Sequence, residues 1–475
     1  MLPWAVGPLS NRAPQYQNQY TLVNRDGKLR LAARSRRVLA LPPEILGEIF
    51  FFCLPFDKNL LVTPDPRGAP LILCKVCRQW RSIALATPKL WSSIYFESEE
   101  ALPESAALYV DFCRDWISRA GGTPLSFWLH ANASDPAVDS LLQIISGVSQ
   151  QWQNIDIRDL PLSFPADRKY PLLEKLNLSP PSDHPVLSFC DAPRLRDVFI
   201  SEYTTRVQLP WHQLTKFGTL SMRIEACLDL LRHASNLAEA HLRISPYDAS
   251  ALPDTIFSLP RLHYLNLSVP WVDDEYTEMV ELPMMPMTLL KCLKTPALKA
   301  LALGFEYPWN DDLVDISPFL AFVSQSSFHL HALTLSVIPT TADALMDCLK
   351  ATPSVIRLKL HISPSIVDMD PVFAEFTGHD KFLPNLESLQ ISLWLRSPTQ
   401  TVDASLVVNM LIWRCVTSKV ARLRSFWLAV LGKRELEESI KSYIEAHPVF
   451  PELEALGTEL RFGERNYLHS FMEVS

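Results

Sequence analysis

The sequence predicts an α/β protein: a small all-helical N-terminal unit, then a solenoid with parallel strands on its concave side and helices on its convex side. Three observations predict it. Two short helical patterns, each with one apolar face, lie between Val38 and Phe96; a phrase close to Pro-x-Leu-x-x-Leu-x-Leu-Ser returns through the remainder; and amphipathic helical stretches separate its copies. These divide the chain into a mobile basic segment over 1–37, the helical unit over 38–96, a linker helix over 97–122 and the solenoid over 123–475.

Residues 1–37 hold seven Lys or Arg against one Asp and show no 3.6-residue periodicity. The cluster RLAARSRR ending at Arg37 reads as a solvated basic tail or as a nuclear-localisation patch. Pro42 and Pro43 then fix backbone angles suited to a first helical turn, and Ile45 with Ile49 and Leu46 with Phe50 form i,i+4 pairs on one face. Beyond a connector from Pro55 to Pro70, Val76, Trp80 and Ile83 recur at i, i+4 and i+7 down a single helix that Thr87 and Pro88 end. Leu90 and Trp91 close the unit. A segment this small buries too little of its own surface to stand alone, so its apolar faces are expected to lean on something else.

The ordered positions LPPEIL..IF and VCR.WR.IA..TP.LW resemble an F-box, in the form abundant in mushroom-forming fungi. The resemblance implies that Leu41, Pro42, Ile45, Leu46, Ile49, Val76, Trp80, Ile83 and Trp91 enter a groove of a Skp-type adaptor, which docks to a cullin scaffold in a ubiquitin ligase. Helix-in-groove recognition needs such i, i+3, i+4 anchors. Two departures stand out: the connector is longer than in the compact F-box, and the coiled-coil helix that often precedes this form is missing.

After this unit, Leu108, Phe112, Trp116 and Ile117 line one side of a helix that Gly121 and Gly122 stop, and Leu125, Phe127 and Leu129 alternate as a strand. The recurring phrase begins at Pro171, Pro193, Pro260, Pro296, Phe328, Pro353, Pro384, Ala421 and Pro451, with weaker copies in HQLTKFGTL and SNLAEAHLRI. Its period of two sends each Leu-x-Leu pair into the core and the intervening residues the other way. RIEACLDLLRHAS, TADALMDCLKAT, DASLVVNMLIWRCVTSK and RELEESIKSYIEAH supply the helices between copies. No single unit of this kind buries its apolar face alone, so neighbours stack. The pattern is similar to the leucine-rich-repeat arrays of many F-box proteins, although the Asn that usually follows the strand is missing.

On that reading the outward strand positions form the recognition surface: Lys175 and Asn177, Asp197 and Phe199, Tyr264 and Asn266, Arg357 and Lys359, Ser388 and Gln390, Ser425 and Trp427. Phe199, Tyr264 and Trp427 are the candidate anchors, because aromatic residues dominate many interfaces. The alternative for these side chains is packing under loops.

Composition narrows the function classes. A 48% hydrophobic and 20% charged chain of 475 residues is expected to be globular, and a net charge of -8 supplies no basic stripe for nucleic acid. No apolar run approaches a membrane span, no signal peptide is recognisable, and nine scattered cysteines fit a reducing compartment, so cytosol or nucleus is expected. Only 13 glycines against 38 prolines weaken any phosphate-cradle reading. Cys74 and Cys77 form a lone CxxC, read as small buried packing residues rather than a zinc site. His329, His331 and His361 read as strand-associated surface or core side chains. Asp273, Asp274 and Glu275, like Glu97, Glu99, Glu100 and Glu104, read as solvated acids. No catalytic motif, metal site or cofactor is expected. The expected function is therefore that of a non-enzymatic substrate receptor in an SCF-type ubiquitin ligase, binding the adaptor through the N-terminal unit and an unknown target protein through the repeats. The alternative is a protein-binding scaffold or inhibitor that assembles no ligase.

Overall fold

The computed structural model describes residues 41–55, 65–98, 106–131, 136–158, 160, 164, 168–181, 183–245, 252–269, 285–305, 315–336, 341–362, 367–394, 402–417, 420–431 and 434–463. The basic segment over 1–37, part of the connector, and the acids Glu99, Glu100, Glu104, Asp273, Asp274 and Glu275 lie outside them. Two compact units divide the chain, Met1–Trp91 and Ser92–Ser475.

In the first unit, the helix Pro43–Phe51 starts on its prolines as the sequence predicts. The second pattern differs from expectation. It is broken into Leu73–Val76 and Arg78–Leu85, because Cys77 adopts an extended conformation (φ -158°, ψ 171°) and its Sγ accepts from the Trp80 backbone N–H at 3.4 Å. Cys77 is thus a helix cap and not a packing residue, and both it and Cys74 are half-exposed. A turn at Pro88–Trp91 follows. The helix Pro43–Phe51 packs against Arg78–Leu85 and this turn. Phe50 and Trp80 meet with ring centroids 4.8 Å apart, and the buried Trp91 indole donates to the Ala84 carbonyl at 2.8 Å. Gly47 sits where these elements approach closely: a Cβ there would lie 3.1 Å from Thr87 Oγ1.

The second unit is mixed α/β and holds one open, parallel sheet of fourteen strands, laid down in chain order. Its first strand is Ser93–Ser98, paired with Leu125–Ala131. The final residues of the predicted helical unit are therefore strand, and the predicted linker helix, Ala106–Ala120, lies inside this unit, with the Trp116 indole donating to the Ser93 carbonyl at 3.2 Å. Each recurring phrase except the last supplies a strand. In register, Leu176, Val198, Phe217, Ala240, Leu265, Leu301, Leu333, Leu358, Leu389 and Phe426 form one buried row across ten strands, and a second row runs from Leu178 to Leu428. Each fully buried side chain of this size contributes about 2 kcal/mol.

The last copy is displaced. PELEA forms the helix Phe450–Ala455, Gly457 ends it in a left-handed conformation (φ 73°), and the strand begins only at Glu459. The predicted helices form at Ile224–His233, Ala342–Lys350, Ala404–Ile412 and Arg434–Ala446. Successive helices contact one another from Ala342–Lys350 through Asp370–Glu375 and Ala404–Ile412 to Arg434–Ala446. Further helices form at Met285–Leu290 and Ser317–Ser326, and some connections also carry paired short strands, Leu187–Ser188 with Val207–Gln208 and Phe257–Ser258 with Leu293–Lys294. No helix among the described residues is long and apolar enough to cross a membrane.

Candidate functional site

Two surfaces carry the residues singled out by sequence. The first is in the N-terminal unit, where the nine-residue helix Pro43–Phe51 sorts adjacent residues into opposite roles. Leu46 and Phe50 are fully buried, while Ile45 and Ile49, on the same helix, are 50% and 43% exposed. Val76 is 56% exposed, Pro42 is exposed, and Leu41 and Trp80 are half-buried. Ile83 and Trp91 are buried. The nine predicted contact residues are therefore split: Leu46, Ile83 and Trp91 are core and leave no surface for a visitor, because the helices Pro43–Phe51 and Arg78–Leu85 and the Pro88–Trp91 turn pack on one another. Phe52, Ile72 and Leu85 are exposed apolar residues that the sequence pattern missed. They sit next to the predicted stripes: Phe52 follows the helix Pro43–Phe51, Ile72 precedes Leu73–Val76, and Leu85 ends Arg78–Leu85.

The second surface is the sheet face opposite the leucine rows. Lys175, Asp197, Lys216 and Glu239 occupy one row on consecutive strands, alternating in sign, with Lys175 3.8 Å from Asp197 and Lys216 3.0 Å from Glu239. Burial raises the Asp197 pKa against the pull of Lys216 and Lys175. For Glu239 burial pushes the same way, but the hydrogen bond and charge of Lys216 outweigh it and the pKa is lowered. In the next row an edge of the Phe199 ring crosses Gly218, where a Cβ would meet it at 2.7 Å, and the His241 ring centroid sits 4.7 Å from that of Tyr264.

Of the predicted recognition residues, Arg357 and Lys175 are exposed, and Asn177, Asp197, Phe199, Asn266, Lys359, Ser388, Ser425 and Trp427 are half-buried. Tyr264 and Gln390 are buried, contrary to expectation. Tyr264 is covered because its ring packs against the His241 ring. Gln390 sits in register between the longer side chains of Lys359 and Trp427. Trp427 itself is anchored, its indole donating to the Gly463 carbonyl at 2.8 Å.

Sequence reasoning missed a polar cluster at the other end of this face. Asp156 accepts from His130 Nε2 and from Asn177 Nδ2, each at 2.9 Å, and Tyr95 meets the His130 ring edge-on. Alternation within each strand was readable, but the register that joins them was not. His361 is buried on this face, and burial, reinforced by Lys359, lowers its pKa to about 4; burial and Lys216 lower that of His241 to about 4 against Glu239. Both rings are neutral in the fold and take up a proton near pH 6.5 once unfolded, so stability is full above that pH and falls as the pH drops toward 4. The expected loss is about 2 kcal/mol per histidine by about pH 5, checked by urea unfolding across this range, and His361→Gln should remove about half of the pH dependence.

Among the described residues no group of three or more His, Cys, Asp or Glu is placed to hold a metal ion. The chain matches no protein-family model and no curated protein.

Proposed function

We propose that the N-terminal unit is an F-box that docks on a Skp-type adaptor, and that the second unit is a leucine-rich-repeat-like solenoid that holds a target protein for an SCF-type ubiquitin ligase. One observation carries the reading. Of the ten large apolar side chains exposed among the described residues, six (Ile45, Ile49, Phe52, Ile72, Val76 and Leu85) lie on or cap the short helices of this one small unit. Isolated exposed apolar residues are ordinary; this concentration on short helices that also keep a sealed core is what helix-in-groove docking requires. The fold supports the second half of the proposal through its chain-ordered parallel sheet, whose polar and aromatic face is free of the leucine rows.

In this role the protein makes and breaks no bond. It raises the local concentration of a target lysine near a charged ubiquitin carrier, which makes their encounter effectively intramolecular. The test uses the two exposed isoleucines: Ile45→Asp with Ile49→Asp should weaken capture of a Skp-type adaptor by about a hundredfold or more, since two apolar anchors of this size contribute about 3 kcal/mol together. The thermal transition of the chain should stay where it is. Undiminished capture rejects the adaptor reading and leaves a protein-binding scaffold that assembles no ligase.

A further inference from the structure

We infer that the last strand of the sheet, Glu459–Phe462, pairs edge to edge with the same strand of a second copy of this chain. From Lys175–Leu178 to Ser425–Leu431, both leucine-row positions of every main-sheet strand are buried. In the last strand the corresponding Leu460 and Phe462 are half-exposed, although their register partners Phe426 and Leu428 are sealed. Phe450 beside them is half-exposed, Tyr443 on the neighbouring helix is exposed, and a cavity of about 380 Å3 opens between Trp427, Lys441, Phe450, Leu460 and Arg461. Apolar surface is therefore concentrated where the sheet stops.

The backbone is equally incomplete there. Glu459 N–H donates inward to the Arg424 carbonyl at 2.8 Å and Gly463 N–H to the Leu428 carbonyl at 3.3 Å. By alternation, the N–H and C=O groups of Leu460 and Phe462 turn to the outer edge, where no strand follows among the described residues.

The charge pattern selects a second copy as the occupant. An edge carrying charge of one sign repels itself, but this one carries Glu459 and Arg461, one of each sign, two residues apart on the same face. Antiparallel pairing about a twofold axis at Leu460 puts Leu460 opposite its own copy in a hydrogen-bonded pair. It puts each Glu459 opposite Arg461 of the second copy in the closer, non-hydrogen-bonded pairs. Centring the axis on Glu459 or on Arg461 instead opposes like charges, and centring it on Phe462 puts Arg461 opposite Gly463 and forms no Glu459–Arg461 pair, so the register centred on Leu460 is favoured. Within one chain Arg461 Nε already donates to Glu459 Oε1 at 2.9 Å, but both side chains are about half-exposed, so exchanging that pair across an interface sacrifices little. This dimer does not depend on the adaptor reading.

Sedimentation velocity of the full chain over a wide concentration range tests it, with hydrogen exchange of the last strand measured alongside. A monomer–dimer equilibrium is expected. Glu459→Arg should weaken it by about tenfold or more, because both cross-strand pairs become like-charged, and adding Arg461→Glu should restore it. A monomer at every concentration overturns the proposal; if the Leu460 and Phe462 amides are nevertheless protected, the chain's own residues 464–475 are the occupant. Dimerisation indifferent to both changes overturns it too, as does an edge that stays open until an unrelated peptide binds.

Discussion

Arg414→Ala is expected to destabilise the second unit by about 4 kcal/mol. Arg414 is 1% exposed and lies in a π-helical turn, Trp413–Thr417, that extends the helix Ala404–Ile412. Among the described residues no carboxylate pairs with it directly. Its guanidinium instead donates to three backbone carbonyls of the preceding connection, Phe376 at 3.2 Å, Leu383 at 3.0 Å and Phe382 at 2.5 Å, and lies over the Phe376 and Trp413 rings. Burial lowers its pKa to about 10 against the pull of Asp380, still far above neutrality, so the side chain stays charged. Removing it strands three carbonyls inside the protein, opens a cavity, and releases a turn in which Leu383 has a positive φ of 44°. Arg414→Met separates these contributions: it restores most of the volume but none of the hydrogen bonds, and should recover about 1 kcal/mol of the loss. Urea unfolding followed by tryptophan fluorescence measures both variants. An alanine variant within about 1 kcal/mol of the parent would mean that water replaces the guanidinium at all three carbonyls.

Leu46→Asp is expected to unfold the N-terminal unit, whereas Ile45→Asp, one residue away, leaves it folded. Leu46 is fully buried where three short helical elements meet, and a carboxylate there has no partner to offset its desolvation. The cost of about 4 kcal/mol or more exceeds what so small a unit can absorb. Ile45 is half-exposed and its substitution moves no packed atom. Hydrogen exchange over residues 43–91 distinguishes the two, with protection lost in the first variant and retained in the second. The pair also guards the adaptor experiment, because loss of adaptor capture by Leu46→Asp would report unfolding and not a lost contact. Equal protection in both variants would show that the packing of Pro43–Phe51 against Arg78–Leu85 is not what holds the unit together.

The same contrast shows how far the sequence was legible. Periodicity identified the helix Pro43–Phe51 and its apolar character, but Leu46 and Ile45 score alike on any hydrophobic pattern, and only the partner elements decide which is core. The Leu-x-Leu phrase located ten strands because alternation is local and each proline marks an entry. Ser93–Ser98 and Trp152–Arg158 lack the phrase and were not foreseen, and PELEA satisfied it but formed a helix because a proline at its start and Gly457 at its end favour one. The capping of a helix by Cys77 had no sequence signal, since cysteine is an uncommon cap.

By itself the sequence determined what one segment decides alone: strands from period two, helices from period 3.6, and which side of each is apolar. The tertiary structure decided what depends on a neighbour: that Tyr264 and Gln390 are covered, that His130 meets Asp156, that Arg414 finds three carbonyls, and that Leu460 and Phe462 have no strand beyond them among the described residues. The physical reason is that burial and pairing belong to two elements at once, and their register is fixed only when many units stack into one sheet.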